Sequence, residues 1–244
     1  MNISIHAIKE CTKKLNQKEK FSFEYTNHTN PSSSLDLNIE NTIKSIIKQI
    51  RPKDGIIGEE SGTIDSQSGI RWIVDPIDGT MNFLHNIPHW CISIACEQLI
   101  DSRWITITGV VYDVFRNELF TSVLGSGAKL NNYPIKISNT NHLHDSLIAT
   151  ELSYNINNRN GQISTLAKLV SHIKDIRSTG SSALDICWVA NGRFDAFFES
   201  DLSYWDWAAA TLILKEAGGK FVRYDKGLVV TNMLIHKQLI KKIT

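Results

Sequence analysis

The sequence predicts a single compact α/β or α+β unit. Short β-branched runs bounded by turn residues alternate with segments of three- and four-residue apolar period, and no disordered stretch or internal repeat divides them. The composition agrees, since 244 residues with 42% hydrophobic and 21% charged side chains are ordinary globular values and allow a sizeable core.

The elements follow in order. Ile3, Ile5, Ile8, Cys11 and Leu15 recur at roughly helical intervals and read as a short amphipathic helix over residues 3–15. Residues 26–34, rich in Asn and Ser and containing Pro31, read as a loop. A second helix is expected over 36–50, with Leu37, Ile43, Ile46, Ile47 and Ile50 as its buried stripe and residues 52–55 closing it. The period then changes to that of strands, at 56–58, 71–74, 91–95 and 105–114, with 117–121 and 128–137 extending a β-rich middle. Helices are expected at 164–172, at 182–191 with Gly192 as its stop, and at 206–217 before Gly218 and Gly219; residues 194–198 read as a strand.

The charge balance is close to zero, 26 Lys and Arg against 25 Asp and Glu. A nucleic-acid binder usually carries a basic excess, so neither nucleic acid nor membrane is expected as a partner. No apolar run approaches the ~20 residues of a membrane span. The first twenty residues carry Lys9, Lys13, Lys14, Lys18 and Lys20 and no signal-peptide core. Cys11, Cys91, Cys96 and Cys187 form no CxxC pair and read as buried thiols. A reducing, cytoplasmic setting is the expectation.

The densest chemical signal is Trp72-Ile73-Val74-Asp75-Pro76-Ile77-Asp78-Gly79-Thr80. A buried strand ends in two carboxylates, and Pro76 constrains the backbone between them so that both can face one point. Two converging carboxylates repel unless a cation sits between them, and hard oxygen donors, including the Ile77 carbonyl, suit Mg²⁺ or Mn²⁺. Gly79 and Thr80 open a turn or helix whose free N–H groups suit a phosphate. Read alone, Asp-Pro and Asp-Gly are also common dipeptides of a surface turn. Glu59 and Glu60 follow another strand and read alone as solvated acids, Asp206 reads alone as a helix N-cap, Asp36 shares that ambiguity, and Glu199 closes a strand. Together these acids lie at the ends of elements otherwise dominated by apolar residues, a distribution typical of a site.

Four of these stretches resemble the inositol monophosphatase family of lithium-sensitive, Mg²⁺-dependent sugar and inositol phosphate phosphatases. WIVDPIDGTMNFLH at 72–85 is similar to the family's D-P-[aliphatic]-D-G-T-x-x-F signature, and WDWAAATLILKEAGG at 205–219 to its W-D-x-A-A pattern. GEES at 58–61 and Asp36 in D-x-x-I-E stand in the matching order and spacing. The resemblance implies a layered α/β/α/β/α sandwich of the inositol monophosphatase and fructose-1,6-bisphosphatase type, a single domain over 1–244 whose tightly packed halves meet near residue 125, and a homodimer. It implies two or three Mg²⁺ ions, with Mn²⁺ as a substitute: Glu59, Asp75 and the Ile77 carbonyl at the first, Asp75, Asp78 and Asp206 at the second. Asp36 would act at a third, bonded to Thr80. Gly79 and Thr80 amides would hold the phosphate. Glu59, or Asp36 through Thr80, would activate water, and Asp78, Ser182, Glu199 and Asp206 would take the polyol hydroxyls.

The implied reaction is hydrolysis of a small polyol phosphate monoester, inositol 1-phosphate first. Asn82 resembles the inositol branch, whereas nucleotide and histidinol phosphatases commonly carry Lys where this chain has Met81. Acidic groups facing hydroxyls argue against a bisphosphate, with Arg177 and Lys129 the possible exceptions. Fructose-1,6-bisphosphatase or nucleotide 3′-phosphatase activity is the alternative on the same scaffold, and a regulatory protein acting on transcription complexes a third. The chain departs from the family at Ser200-Asp201-Leu202-Ser203-Tyr204, where bacterial relatives usually carry a basic residue and Pro. It also departs after Gly219, where Asp225-Lys226-Gly227 shortens a loop, and at 26–35, which lacks the usual lysine.

Overall fold

The computed structural model describes residues 1–15, 23–27, 30–224 and 227–243, of which 23–27 and 30–33 by their backbone only. Helix α1 (Asn2–Leu15) is followed by the strand pair β1 (Phe23–Asn27) and β2 (Asn30–Ser33) and by α2 (Ser34–Ile50). Strands β3 (Gly55–Gly58), β4 (Gly62–Ile64) and β5 (Ile70–Asp78) lead to the short α3 (Thr80–Leu84). Then come β6 (Cys91–Ile100), β7 (Arg103–Asp113), β8 (Glu118–Val123), β9 (Ala128–Leu130) and β10 (Tyr133–Pro134). The second half runs β11 (Leu147–Thr150), α4 (Ile156–Leu169), β12 (Asp175–Arg177), α5 (Ser182–Ala190), β13 (Ala196–Glu199) and α6 (Tyr204–Glu216). It ends with β14 (Lys220–Tyr224), β15 (Gly227–Thr231) and α7 (His236–Ile243).

The first half builds an eight-stranded sheet in the order β10-β9-β8-β7-β6-β5-β3-β4, and the second a five-stranded sheet in the order β12-β11-β13-β15-β14. Strand alternation sends neighbouring side chains to opposite faces. Trp72, Val74, Ile92 and Ile94 pack under α1 and α2 against Ile8, Ile39, Ile43 and Ile47. Ile73, Ala95 and Val111 face the other way, onto α5 and α6, which also take Phe197 and Val230 of the second sheet. Ile148, Phe198 and Val229 cover the outer face with Leu169 and Leu239 of α4 and α7. The layers therefore run α/β/α/β/α, as expected. All four cysteines are buried and free, and no described helix is long and apolar enough to cross a membrane.

Several boundaries depart from the sequence reading. Part of the loop expected at 26–34 forms β2 and the end of β1; Pro31 is tolerated there because a two-stranded edge does not need its N–H. Residues 28 and 29 lie outside the described residues, as do Asp225 and Lys226 of the shortened loop. In α2 the buried stripe is Leu35, Ile39, Ile43 and Ile47, while Leu37 and Ile50 are exposed, so the expected stripe was out of phase at both ends. Helix α4 begins at Ile156 instead of 164, its N-cap Asn155 accepting a bond from the Asn157 N–H. Its first turns are polar, with Asn157, Asn158, Arg159 and Asn160. Only Leu169 is buried, so no apolar period announces its start. Asp206 is not a cap: Ser203 caps α6, and Asp206 occupies the third helical position.

Candidate active site

The end of β5 sets the floor of the site. Asp75 pairs with Ser93 and Asp78 with Cys91, so three steps on β5 match two on β6 and the ladder contains a bulge at Pro76 and Ile77. In a regular strand residues three apart point to opposite faces; the bulge returns Asp78 to the side of Asp75. Asp75 and Asp78 are 2% and 7% exposed. The Ile77 side chain is buried under α2, and its carbonyl accepts a 3.1 Å bond from the Thr80 hydroxyl. Gly79 then turns the chain at φ +101°, where an added Cβ would lie 2.9 Å from the Gly180 carbonyl. Only glycine meets both demands.

Three further segments close around this floor. Glu59 lies in the turn between β3 and β4, and the buried Glu40 carboxylate grips that turn through the Glu60 and Ser61 N–H groups at 2.8 and 3.0 Å. Asp206 enters from α6, where one of its oxygens accepts the Ser203 N–H at 2.7 Å. Glu199 closes β13, accepting from the Ser182 hydroxyl at 2.7 Å. Asp78 is steadied from the start of α5 by the Ser181 hydroxyl and by the Ala183 N–H at 2.9 Å. Glu151 accepts from Ser178 Oγ and from the Thr179 and Gly180 N–H groups, shaping the loop that leads into α5. These groups surround a cleft of about 280 Å³ that also includes Thr80, Met81, Leu152, Tyr154 and Leu202. No Lys or Arg lines it among the described residues.

The electrostatics are those of acids crowded away from water. Burial pushes Glu59 up to about 9, assisted by the charges of Asp206, Asp36 and Glu60. Burial and then Asp78 raise Asp206 to about 8. Burial raises Asp78 to about 6 against the opposing bonds from Ser181, Ala183 and Cys91. Asp75 lies well above the usual carboxylate range through burial and the charge of Glu59. One oxygen each of Asp75, Asp78 and Asp206 lies within 4.8 Å of the others, and Asp75 Oδ1 is buried without a hydrogen-bond partner. An unsatisfied oxygen in an all-oxygen set fits a hard divalent cation, which would supply the missing partner and offset the repulsion.

Of the residues singled out in the sequence, Glu59, Asp75, Ile77, Asp78, Gly79, Thr80, Ser182, Glu199 and Asp206 all line the cleft. Asp36 does not; it is fully buried in the first turn of α2 and acts on the cleft through its charge on Glu59 and Asp75. The Thr80 hydroxyl donates to the Ile77 carbonyl. Arg177 is exposed and paired with Asp175, and neither it nor Lys129 lines the cleft. Asn82 serves packing, with its amide donating to the His89 and Thr179 carbonyls at 2.7 and 2.6 Å. Sequence reasoning missed Glu40, Glu151 and Ser181. Glu40 stood in view as the last residue of D-x-x-I-E, and only its burial reveals the grip on the Glu59 turn.

A model of the inositol monophosphatase family matches residues 2–242. A Haemophilus influenzae protein named Nus factor SuhB is 37% identical over 221 residues, which cover 86% of this chain and 81% of the relative. The extragenic suppressor protein suhB of Bartonella henselae superposes with a TM-score of 0.91 at 31% identity, over 100% of this chain and 98% of that one. An inositol monophosphatase from Anabaena gives 0.83 at 31% identity, over 99% and 94%. The name Nus factor belongs to transcription, so the charge-based exclusion of nucleic acid as a partner does not stand. A net charge of +1 averages the whole surface and bears only on direct neutralisation of a phosphate backbone, not on joining an assembly that contains nucleic acid. Motifs, layered fold, acidic cleft and family match agree: the chain belongs to the inositol monophosphatase family.

Proposed function

We propose that this chain hydrolyses phosphate monoesters of small polyols, inositol 1-phosphate foremost. The observation that carries the reading is the trio of Asp75, Asp78 and Asp206, with one oxygen of each within 4.8 Å, in a cleft free of basic side chains among the described residues. Glu59, Asp75 and the Ile77 carbonyl would hold one Mg²⁺, Asp75, Asp78 and Asp206 a second, and Asp36 would bias a third position, with Mn²⁺ as a substitute. Ions held there would supply positive charge to neutralise the phosphate and to acidify a nearby water. The Gly79 and Thr80 amides take phosphate oxygens. Glu59 orients the water and receives its proton, with Asp36 acting through Thr80 as the alternative. Glu199 with Ser182, together with Asp78 and Asp206, accepts the hydroxyls of the polyol. The reading includes one domain over 1–244, acting as a cytoplasmic homodimer.

Phosphate release measured with and without Mg²⁺ tests this. Release from inositol 1-phosphate that requires the metal is expected. No release from inositol 1-phosphate, fructose 1,6-bisphosphate or nucleotide 3′-phosphates would sink the reading. A second reading rests on the name Nus factor SuhB carried by relatives of 37–40% identity: the chain acts in transcription complexes through its surface. Recovery of RNA polymerase with the tagged chain supports that role, and coupled with a dead phosphatase assay it makes that role the main one.

A further inference from the structure

Asp75 and Asp78 ride on β5, whereas Asp206 rides on α6, so the trio keeps its spacing only if helix and strand keep theirs. A polar link outside the cleft ties the two together. Glu97 of β6 has a side chain 1% exposed, and its Oε2 accepts a 2.6 Å bond from Arg71 Nε, on the same strand as Asp75 and Asp78. Its Oε1 accepts from the Thr106 hydroxyl at 3.1 Å and from the hydroxyl of Tyr204, the first residue of α6. A bulge between Cys96 and Glu97 resets the β6–β7 register at this point. The Arg71 guanidinium stacks 4.2 Å from the Trp104 ring centroid and lies 5.9 Å from that of Tyr204. The Tyr204 ring in turn meets Trp207 edge-on at 4.7 Å. Farther along α6, Gly109 of β7 lies so close that an added Cβ would stand 2.4 Å from the Ala209 carbonyl. The helix is thus seated at Tyr204 and at Ala209, with Asp206 between them.

We propose that the chain Arg71–Glu97–Tyr204 positions Asp206 against Asp75 and Asp78, making Tyr204 a positioning residue for metal binding; the proposal rests on the phosphatase reading above. None of the three residues lines the cleft. Their effect passes through the helix seat: Asp206 is tied to the Ser203 N–H within the first turn of α6, so the seating of that turn sets how its carboxylate meets Asp75 and Asp78. Groups that orient a ligand in this way command affinity without touching the ion.

The test is a titration of the metal-free chain with Mn²⁺ followed by electron paramagnetic resonance, with thermal melting of each variant. Tyr204→Phe keeps the ring and loses only the hydroxyl; its weaker Mn²⁺ site is expected to loosen about tenfold, at the low end of what outer-shell partners contribute. The Mg²⁺ concentration needed for half-maximal activity rises in step, while KM for substrate at saturating Mg²⁺ stays put. Glu97→Gln, whose single acceptor oxygen cannot serve both Arg71 and Tyr204, loosens the site as well, whereas Thr106→Val, which removes a different bond to the same carboxylate, keeps wild-type Mn²⁺ affinity. Tyr204→Phe within twofold of wild type overturns the proposal, as does a fall in melting temperature with no change in Mn²⁺ affinity, or equal loosening in Thr106→Val. Wild-type chain that binds no Mn²⁺ defeats the phosphatase reading instead.

Discussion

The turn that ends β5 and the wall opposite it present the same chemistry, carboxylates facing a small cleft, and hold it by different means. Asp75, Ile77, Asp78, Gly79 and Thr80 are nearly contiguous, and one bulge with one positive-φ glycine aims them all. The opposing acids come from segments far from that turn in the chain: Glu151 after β11, Glu199 at the end of β13 and Asp206 in the first turn of α6. Each is held by bonds to a neighbouring loop, Glu151 to Ser178, Thr179 and Gly180, Glu199 to Ser182, and Asp206 to Ser203. A turn of consecutive residues stores its geometry in backbone dihedrals, whereas a wall assembled from remote segments stores it in tertiary contacts. The first resists distant substitutions; the second gives way when a supporting group is removed.

The comparison can be broken most sharply at Asp75. Asp75→Asn is expected to lower Mg²⁺-dependent phosphate release at least a hundredfold, roughly 3 kcal/mol in the barrier. The metal-free variant should melt no lower than wild type, because deleting one charge from a crowded set relieves repulsion. Activity near wild type would remove Asp75 from the chemistry. The wall should respond less and differently. Glu151→Ala leaves the Thr179 and Gly180 N–H groups without their acceptor, a cost of about 2 kcal/mol. It should raise KM about tenfold with a smaller change in kcat, and Glu151→Gln should recover most of that by keeping one acceptor oxygen. An Ala variant that loses kcat alone would place Glu151 among the reacting groups instead of behind them.

The smallest expected effect concerns pH. Glu59 at about 9, Asp206 at about 8 and Asp78 at about 6 keep protons that the unfolded chain releases near pH 4. The native state therefore binds more protons in that window. The stability that these three groups contribute to the metal-free protein is fully present below about pH 4 and is lost as pH rises toward 9. The decline should read as a drop of about 3 °C in melting temperature for each kcal/mol at this size. Saturating Mg²⁺ displaces those protons and should flatten the profile. A metal-free melting temperature that climbs between pH 5 and 9 would contradict the crowding described for the cleft.

What could be read in the chain follows the same division. The helices with a clear apolar stripe, α1, α2 and α5, and the β-branched strands β5, β6 and β7 were legible because one buried face imposes a period on local sequence. Helix α4 started eight residues earlier than its period suggested, since its first turns bury nothing, and α7 went unread because its short span buries only His236 and Leu239. In the site, the acids of β5 were legible as a cluster, but Asp206 read by itself as a helix cap. With Ser203 as the cap, Asp206 at the third helical position both bonds the Ser203 N–H and contributes an oxygen to the trio with Asp75 and Asp78. Glu40, Glu151 and Glu97 carried no local signal at all. Their partners lie 20 to 107 residues away, at the Glu60 N–H, the Thr179 and Gly180 N–H groups and the Tyr204 hydroxyl.

By itself the sequence determined which acids the protein possesses, the α/β or α+β class and the turn at 75–80, because alternation, helical period and the stereochemistry of Pro76 and Gly79 are local properties of consecutive residues. Only the tertiary structure decided which of those acids meet, which ones merely hold them, and that Asp36 acts through charge from beneath the cleft instead of lining it. The physical reason is range: dihedral preferences act over a few residues, whereas the crowding that raises the proton affinity of Asp75, Glu59 and Asp206 arises only when strands and helices distant in sequence exclude water together.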